Sequence, residues 1–485
     1  MRELSRTKIV STLGPTTKGR LKELIEEGVD VFRLNFSHGS HEEHAERIQE
    51  VISAATELKR TVGILGDLQG PKIRCGKIIE GGIQLEAGQE LVITTDEILG
   101  EGSRISTVFQ ALPREVKVGD PILMDDGLLE AVVERIEGNE IFCKMLVAGK
   151  LTSNKGINLP ETDIQSPALT EKDERDLKFI IENDAIDFVA LSFVRKGEDL
   201  DIIHAAMDKI GKRKPVISKI EKPSALVDID AIIEKSDALM VARGDLGVEI
   251  PSEKVPVAQK TMIRKCIEQG KPCIVATQML DSMIRNPRPT RAEASDVANA
   301  VLDGASAVML SGETASGSYP VEAVQMMTKI IRETERNFMT KPGMWGYEQP
   351  EIRNDVDALC KSIVDLSETL NVKGIICITN TGKTALRIAR FRPACPIFAF
   401  ASHENNVLRK LSLPKAVVPM PLKDLTYDES TLTQMEEALD RHPFLDNGDQ
   451  VILAAALPFD KTSNTNLIKL HTIGKDSMLL SKKTN

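Results

Sequence analysis

Polar residues able to do chemistry stand at the ends of successive apolar runs. VDVFRLNF (29–36) leads through Arg33 and Asn35 into Ser37 and His38, and TVGILGDL (61–68) ends near Asp67. PVISKIE (215–221) carries Lys219 and Glu221, and ALMVAR (238–243) runs into Arg243-Gly244-Asp245. PCIVATQ (272–278) ends near Thr277, and AVMLSGE (307–313) near Ser311 and Glu313. Several of these residues are two apart, which puts them on one face of a strand. Any single polar residue there is explained by a strand entering a loop. Lys219 and Glu221 lie within an apolar run, however, and a buried charge is costly unless it is paired or bound. Glu221 and Asp245 are one strand–helix repeat apart and belong on neighbouring strands. Two adjacent carboxylates suit Mg²⁺ or Mn²⁺, which keep positions for water or substrate oxygens. The same residues could instead pair as Lys219–Glu221 and Arg243–Asp245, and spacing leaves both readings open. Arg33, Arg74, Lys155 and Lys219 add positive charge, a combination that fits a phosphorylated anion held through a metal.

Positioning these residues requires a particular fold. Strand patterns fall at 7–13, 29–36, 61–68, 187–193, 215–221, 238–243, 272–278 and 307–313. Helical patterns alternate with them at 41–58, 171–183, 198–210, 253–269 and 321–339. Thr290 and Glu293 form a capping box before the apolar stripe Ala294, Val297, Ala298, Val301 and Leu302. Eight such units predict an α/β fold, a (β/α)8 barrel over 1–69 and 169–341, with an open doubly wound sheet as the competing arrangement. Residues 70–168 differ in texture. Turns at Gly81-Gly82, Gly119-Asp120-Pro121, Asp125-Asp126-Gly127 and Gly138-Asn139 separate short strand-like runs at 91–95, 128–135 and 141–147. This segment reads as a small inserted β-barrel domain, a lid over the barrel end where active sites sit. KPGMWGYEQP (341–350) reads as a linker. A C-terminal open α/β domain follows over 353–485, with strands at 374–379, 396–400, 416–418, 450–456 and 467–472.

The chain has 485 residues, 41% of them hydrophobic, and a formal charge of −10, which excludes wholesale disorder and argues against nucleic acid as a partner. Aromatic residues are 4%, too few for base-stacking platforms. Seven cysteines without CxxC or Cys/His metal spacing read as free thiols in a reducing compartment. No apolar run approaches a membrane span, and the first residues lack a signal-peptide pattern. The expectation is a soluble cytoplasmic protein. TNTGKT (379–384) ends like a P-loop, but the pattern needs Gly at 377, where Cys377 stands. It follows a strand and opens a helix, so Thr379, Asn380, Thr381, Gly382, Lys383 and Thr384 are candidate phosphate contacts, unless the turn is an ordinary one.

At these residues the chain resembles the pyruvate kinase family. The matching stretches are FRLNFSHG (32–39), GDLQGPKIR (66–74), NKGINLP (154–160), ISKIE (217–221), MVARGDLGVEIP (240–251) and the long run 274–324 from IVATQ. The resemblance implies phosphoryl transfer from phosphoenolpyruvate to ADP, giving pyruvate and ATP. It implies that Glu221 and Asp245 bind Mg²⁺ or Mn²⁺, that Lys219 stabilises the transferring phosphoryl group, and that Arg33 contacts the substrate phosphate. Gly244, Asp245 and Thr277 match carboxylate and enolate contacts. Asn35, Phe36, Ser37, His38, Arg74 and Lys155 match nucleotide contacts, and Thr277, Ser311 and Glu313 could order a water for enolate protonation. Lys72 replaces the Glu of potassium-dependent relatives. It implies activity without K⁺, its ammonium standing in for the ion near Asn35, Ser37, Asp67 and Leu68. Resemblance also implies a homotetramer and a phosphorylated effector at 379–384. The later loop, Leu457 to Ser463, lacks the glycines of bisphosphate-binding relatives, which favours a sugar monophosphate or AMP. Two other readings stand beside this one: a metal-dependent lyase or aldolase barrel, which needs no nucleotide lid, and an inactive relative kept for ligand sensing.

Overall fold

The computed structural model describes residues 4–160, 162, 167–338, 349–402, 406–423, 425–426, 428–456 and 464–475. Most of the expected linker and the loop 457–463 lie outside them.

Eight parallel strands close into a barrel: Lys8–Thr12, Val31–Asn35, Gly63–Asp67, Phe188–Leu191, Val216–Ile220, Ala238–Ala242, Cys273–Ala276 and Ala307–Leu310. The last pairs with the first through Lys8↔Ala307 to Ser11↔Leu310, so the open-sheet alternative does not apply. The strands are nearly continuous apolar runs because helices cover one side and barrel contents fill the other. Alternate residues divide accordingly. Ile9, Phe32, Leu34, Ile64 and Val189 join the core shared with the helices. Val10, Val31, Leu65, Ala190, Ile217 and Met240 form a separate inner cluster. Continuing that second parity toward the C-terminal ends gives Arg33, Asp67, Ser192 and Lys219. The polar site therefore caps the barrel's own apolar filling.

The helices follow the expected signals. Thr290 Oγ1 accepts from Glu293 N, the Glu293 carboxylate returns to Thr290 N, and Gly304 ends the helix Arg291–Asp303 in the left-handed region. Such a cap contributes about 1 kcal/mol. Glu313 departs from expectation. It lies on a short helix, Gly312–Ala315, because the chain turns at Ser311 instead of extending the strand.

The inserted lid has its own core, including Leu85, Leu91, Ile93, Ile122, Val133 and Ile141. It was expected as a small barrel. Its hydrogen-bonded strands instead make a six-stranded sheet and a separate pair, Ile83–Leu85 with Gly149–Leu151. Bulges in Leu129–Glu137 bend the larger sheet, and single bridges at Arg74–Gly156, Cys75–Thr107 and Ile78–Gly100 replace further strand pairing.

The C-terminal domain is a five-stranded sheet, parallel except for its last strand, Leu467–Thr472. Its strand Val417–Leu422 runs past the expected 418. Pro419 and Pro421 mask it in the sequence, but it is an edge strand, where proline is tolerated. No described helix is long and apolar enough to cross a membrane.

Candidate active site

Four charged side chains converge where barrel strands two, three and five end. Asp67 accepts from Arg33 Nε at 2.6 Å and lies 3.4 Å from Lys219 Nζ. Lys219 Nζ is also 3.0 Å from Glu221 and donates to Ser192 Oγ at 2.7 Å. The second oxygen of Glu221 accepts from Phe193 N at 2.7 Å. Arg33 reaches Thr12 Oγ1 at 3.1 Å. Ser192 and Phe193 were missed by sequence reasoning. Their signal was available, since the run DFVALSF (187–193) carries Ser192 near its end as the neighbouring runs carry charge.

The electrostatics follow from burial. Burial opposes ionisation of Asp67, but Lys219 and Arg33 outweigh it and hold the carboxyl below its usual range. Burial works against charge on Lys219, and Asp67 and Glu221 more than offset it, so this lysine holds its proton more tightly than usual. Glu221 is pushed up by burial, with Asp245 adding repulsion and Lys219 opposing it. The carboxylate pair thus carries crowded negative charge that a cation would relieve.

A cleft of about 480 Å³ opens on this group. Arg33, Asn35, Ser37, His38, Lys72, Arg74, Lys219, Glu221 and Asp245 line it, with Gln69 and Phe193. Glu221 and Asp245 therefore face one space, as a shared divalent cation requires. The alternative salt bridges are half present: Lys219 does pair with Glu221, but Arg243 pairs with Asp296 at 2.6 Å and leaves Asp245 to the cleft. No group of three or more His, Cys, Asp or Glu side chains that could hold a metal occurs among the described residues. Two carboxylates beside open space nonetheless suit Mg²⁺, which takes remaining oxygens from substrate and water.

Other expected residues sit differently. Gly244 N donates to Thr277 Oγ1 at 2.6 Å, so the start of the helix Arg243–Glu249 is pinned to the end of strand seven. Thr277 and Gln278 both have positive φ, 70° and 53°, a strained geometry for a β-branched residue and its neighbour. Neither Gly244 nor Thr277 lines the 480 Å³ cleft. Glu313 is buried, and its two oxygens accept from Leu280 N and Ser311 N. It staples the loops after strands seven and eight, and burial raises its pKa. Lys155 pairs with Asp125 of the lid at 2.7 Å and does not line the cleft. Arg74 lines it while donating to Asn154 O.

Phe36 is buried against His44 and Phe179, and its backbone N–H donates to Asp67 O, so it supports the loop Asn35–His38 from behind. Among the residues expected around a monovalent cation, Asp67 is occupied by Arg33 and Lys219, and Leu68 O accepts from Ser192 Oγ. Asn35 Oδ1 accepts from Ser37 N, and Lys72 Nζ lies 3.2 Å from Asp245. Lys72 thus adds its charge on the Asp245 side of the cleft. At 379–384, Gly382 has φ 85° and its N–H donates to Thr379 Oγ1 before the helix Lys383–Arg390 begins.

With this geometry in place, comparison with known proteins is decisive. Residues 4–324 match the family model "Pyruvate kinase, barrel domain", and 357–471 match "Pyruvate kinase, alpha/beta domain". The chain belongs to the pyruvate kinase family. It is accordingly a phosphotransferase. It is 44% identical to a pyruvate kinase of Corynebacterium glutamicum over 98% of this chain and 99% of that one. It is 42% identical to that of Mycobacterium tuberculosis over 98% and 99%. A solved pyruvate kinase from Cryptosporidium parvum superposes with a TM-score of 0.87 at 38% identity, covering 97% of this chain and 96% of the other. In this pyruvate kinase family member the lid and the C-terminal domain both fall within the shared length.

Proposed function

We infer that the protein transfers the phosphoryl group of phosphoenolpyruvate to ADP, yielding pyruvate and ATP. The observation supporting this most directly is Lys219, held between Asp67 and Glu221 at the mouth of a cleft that Asp245 also lines. Glu221 and Asp245 would hold Mg²⁺ or Mn²⁺, which when bound neutralises phosphoryl oxygens and orients them. Lys219 offers a fixed positive charge where negative charge shifts from the phosphoryl group to the enolate oxygen. Its environment keeps it protonated, so it stabilises that charge without moving a proton. Arg33, braced by Asp67 and Thr12, presents the rest of its guanidinium to the substrate phosphate. Asn35, Ser37, His38 and Arg74 line the side where ADP would bring its attacking oxygen. Breaking the phosphorus–oxygen bond leaves enolpyruvate, whose methylene carbon must gain a proton. Thr277 is proposed to position the water that supplies it, with Glu313 fastening the neighbouring loops through Leu280 N and Ser311 N.

The remaining assignments complete this reading. Lys72 makes the enzyme independent of K⁺, the loop 379–384 receives the phosphate of a sugar monophosphate or AMP effector, and the enzyme works as a cytoplasmic homotetramer. A coupled assay for pyruvate formation tests the central reading. Turnover requiring phosphoenolpyruvate, ADP and Mg²⁺ together is expected. Pyruvate formation without ADP would favour a lyase or aldolase, and no turnover with intact ligand binding would favour a sensing role.

A further inference from the structure

Glu249 lies outside the catalytic group yet touches both the lid and the residue that follows Glu221. Its side chain is fully buried. One oxygen, Oε1, accepts from Asn158 Nδ2 at 2.8 Å and from Lys222 Nζ at 2.6 Å. Asn158 belongs to the last strand of the lid, Ile157–Asn158. Lys222 directly follows Glu221, the first candidate metal ligand. Glu249 itself ends the two-turn helix Arg243–Glu249, whose first turn carries Asp245, the second. The lid turn at Gly127 also approaches Val248 of this helix.

The helix is therefore fixed at both ends, but to different bodies. At its start, Arg243 holds Asp296 and Gly244 N–H holds Thr277, both of the barrel. At its end, Glu249 holds the lid. A buried carboxylate is expensive unless its partners stay in place. Its second oxygen, Oε2, has no hydrogen-bond partner among the described residues, so the Asn158 and Lys222 contacts carry its stabilisation.

We propose that Glu249 is a positioning residue that links the lid to the placement of the two metal-binding carboxylates. When Asn158 is seated, Glu249 fixes the far end of the helix bearing Asp245 and restrains the chain immediately after Glu221. When the lid lifts, that carboxylate loses a donor and both supports slacken. The lid is then more than a cover, because its position sets how well the cleft holds a divalent cation. This inference rests on the metal assignment proposed above.

The test uses the full-length protein with Mn²⁺ as the probe, its binding measured by electron paramagnetic resonance without substrates. Three variants are compared: Asn158→Ala, which touches only the lid side, Glu249→Gln, which keeps the side-chain shape, and the double variant. Each single variant should weaken Mn²⁺ binding roughly three- to tenfold and lower kcat more than it raises KM for phosphoenolpyruvate. The double variant should lose no more than the weaker single variant, because both changes break one link. Asn158→Gln, which keeps the amide donor, should recover part of the loss. If wild type binds Mn²⁺ and the variants bind it equally well while only their Tm falls, Glu249 is structural and the inference is wrong. Additive losses in the double variant would also overturn it. If wild type binds no Mn²⁺, the metal assignment itself fails.

Discussion

Two buried lysines at opposite ends of the barrel show why burial alone does not make a site. Lys219 at the mouth and Lys415 at the foot each donate to a hydroxyl, Ser192 Oγ at 2.7 Å and Thr7 Oγ1 at 2.6 Å. Their proton affinities move in opposite directions. Lys219 has Asp67 and Glu221 within 3.4 Å, and they outweigh its burial and raise its pKa. Lys415 is lowered to about 7 by burial, which Glu335 opposes and Arg392 and Arg6 reinforce. Glu335 lies 4.0 Å from it and already accepts from Arg6 N, Thr7 N and Thr7 Oγ1. The foot is a closed network that seals the C-terminal domain to the barrel, with Ala416 N–H also donating to Arg6 O. At the mouth, the carboxylates crowd one another and face open space. Function is marked by charge that the protein has not fully spent on itself.

The sharpest way to break this comparison is to remove each ammonium in turn. Lys219→Met should lower turnover on the order of 10³-fold, the scale of losing a preorganised charge at the reacting group. A circular-dichroism melt should show the variant still folded. Lys415→Met should leave kcat and KM unchanged. Equal losses in the two variants, or full turnover without Lys219, would erase the distinction.

Lys72 probes how the mouth's charge is balanced. It is a cation 3.2 Å from Asp245, on the edge of the cleft, and both groups are about one-quarter exposed. Lys72→Glu places a third carboxylate beside Glu221 and Asp245. Activity in a sodium or organic-cation buffer should fall at least about tenfold, equivalent to roughly 1.4 kcal/mol of barrier. Added K⁺ should restore most of it. Wild type that is already strictly K⁺-dependent would contradict the role assigned to Lys72.

The barrel was legible because its strands are short apolar runs ending in charge, and each was placed within two or three residues. The candidate metal pair was legible for the same reason, since one strand–helix repeat separates Glu221 from Asp245. What stayed hidden depends on the third dimension. Ser192 looks like any strand end until Lys219 Nζ reaches it from the next strand. Glu313 was expected on a strand face, but the chain reverses at Ser311 and spends its carboxylate on two loop amides. Lys155 was placed in the cleft by motif position, and its pairing with Asp125 within the lid could not be read from spacing. Glu249 carried no local signal, since its partners lie 91 and 27 residues away.

The foot of the barrel supplies the prediction with the smallest effect on turnover and a clear one on stability. Burial lowers the Lys415 pKa to about 7, from the 10.5 of a free lysine side chain. Between these values the unfolded chain binds a proton that the native protein has shed, so stability should rise with pH across that window. Below about 7 both states are protonated and the penalty of the buried charge is constant. At ~1.4 kcal/mol per unit, the penalty is on the order of 5 kcal/mol. Lys415→Met removes the titration while keeping most of the side-chain volume. Its Tm should exceed that of wild type most at pH 7 and below, and the gap should narrow toward pH 10. Parallel Tm–pH curves would mean that Lys415 stays charged at the foot, as Lys219 does at the mouth. The contrast would then lie in where the two lysines face, with no difference in how they ionise.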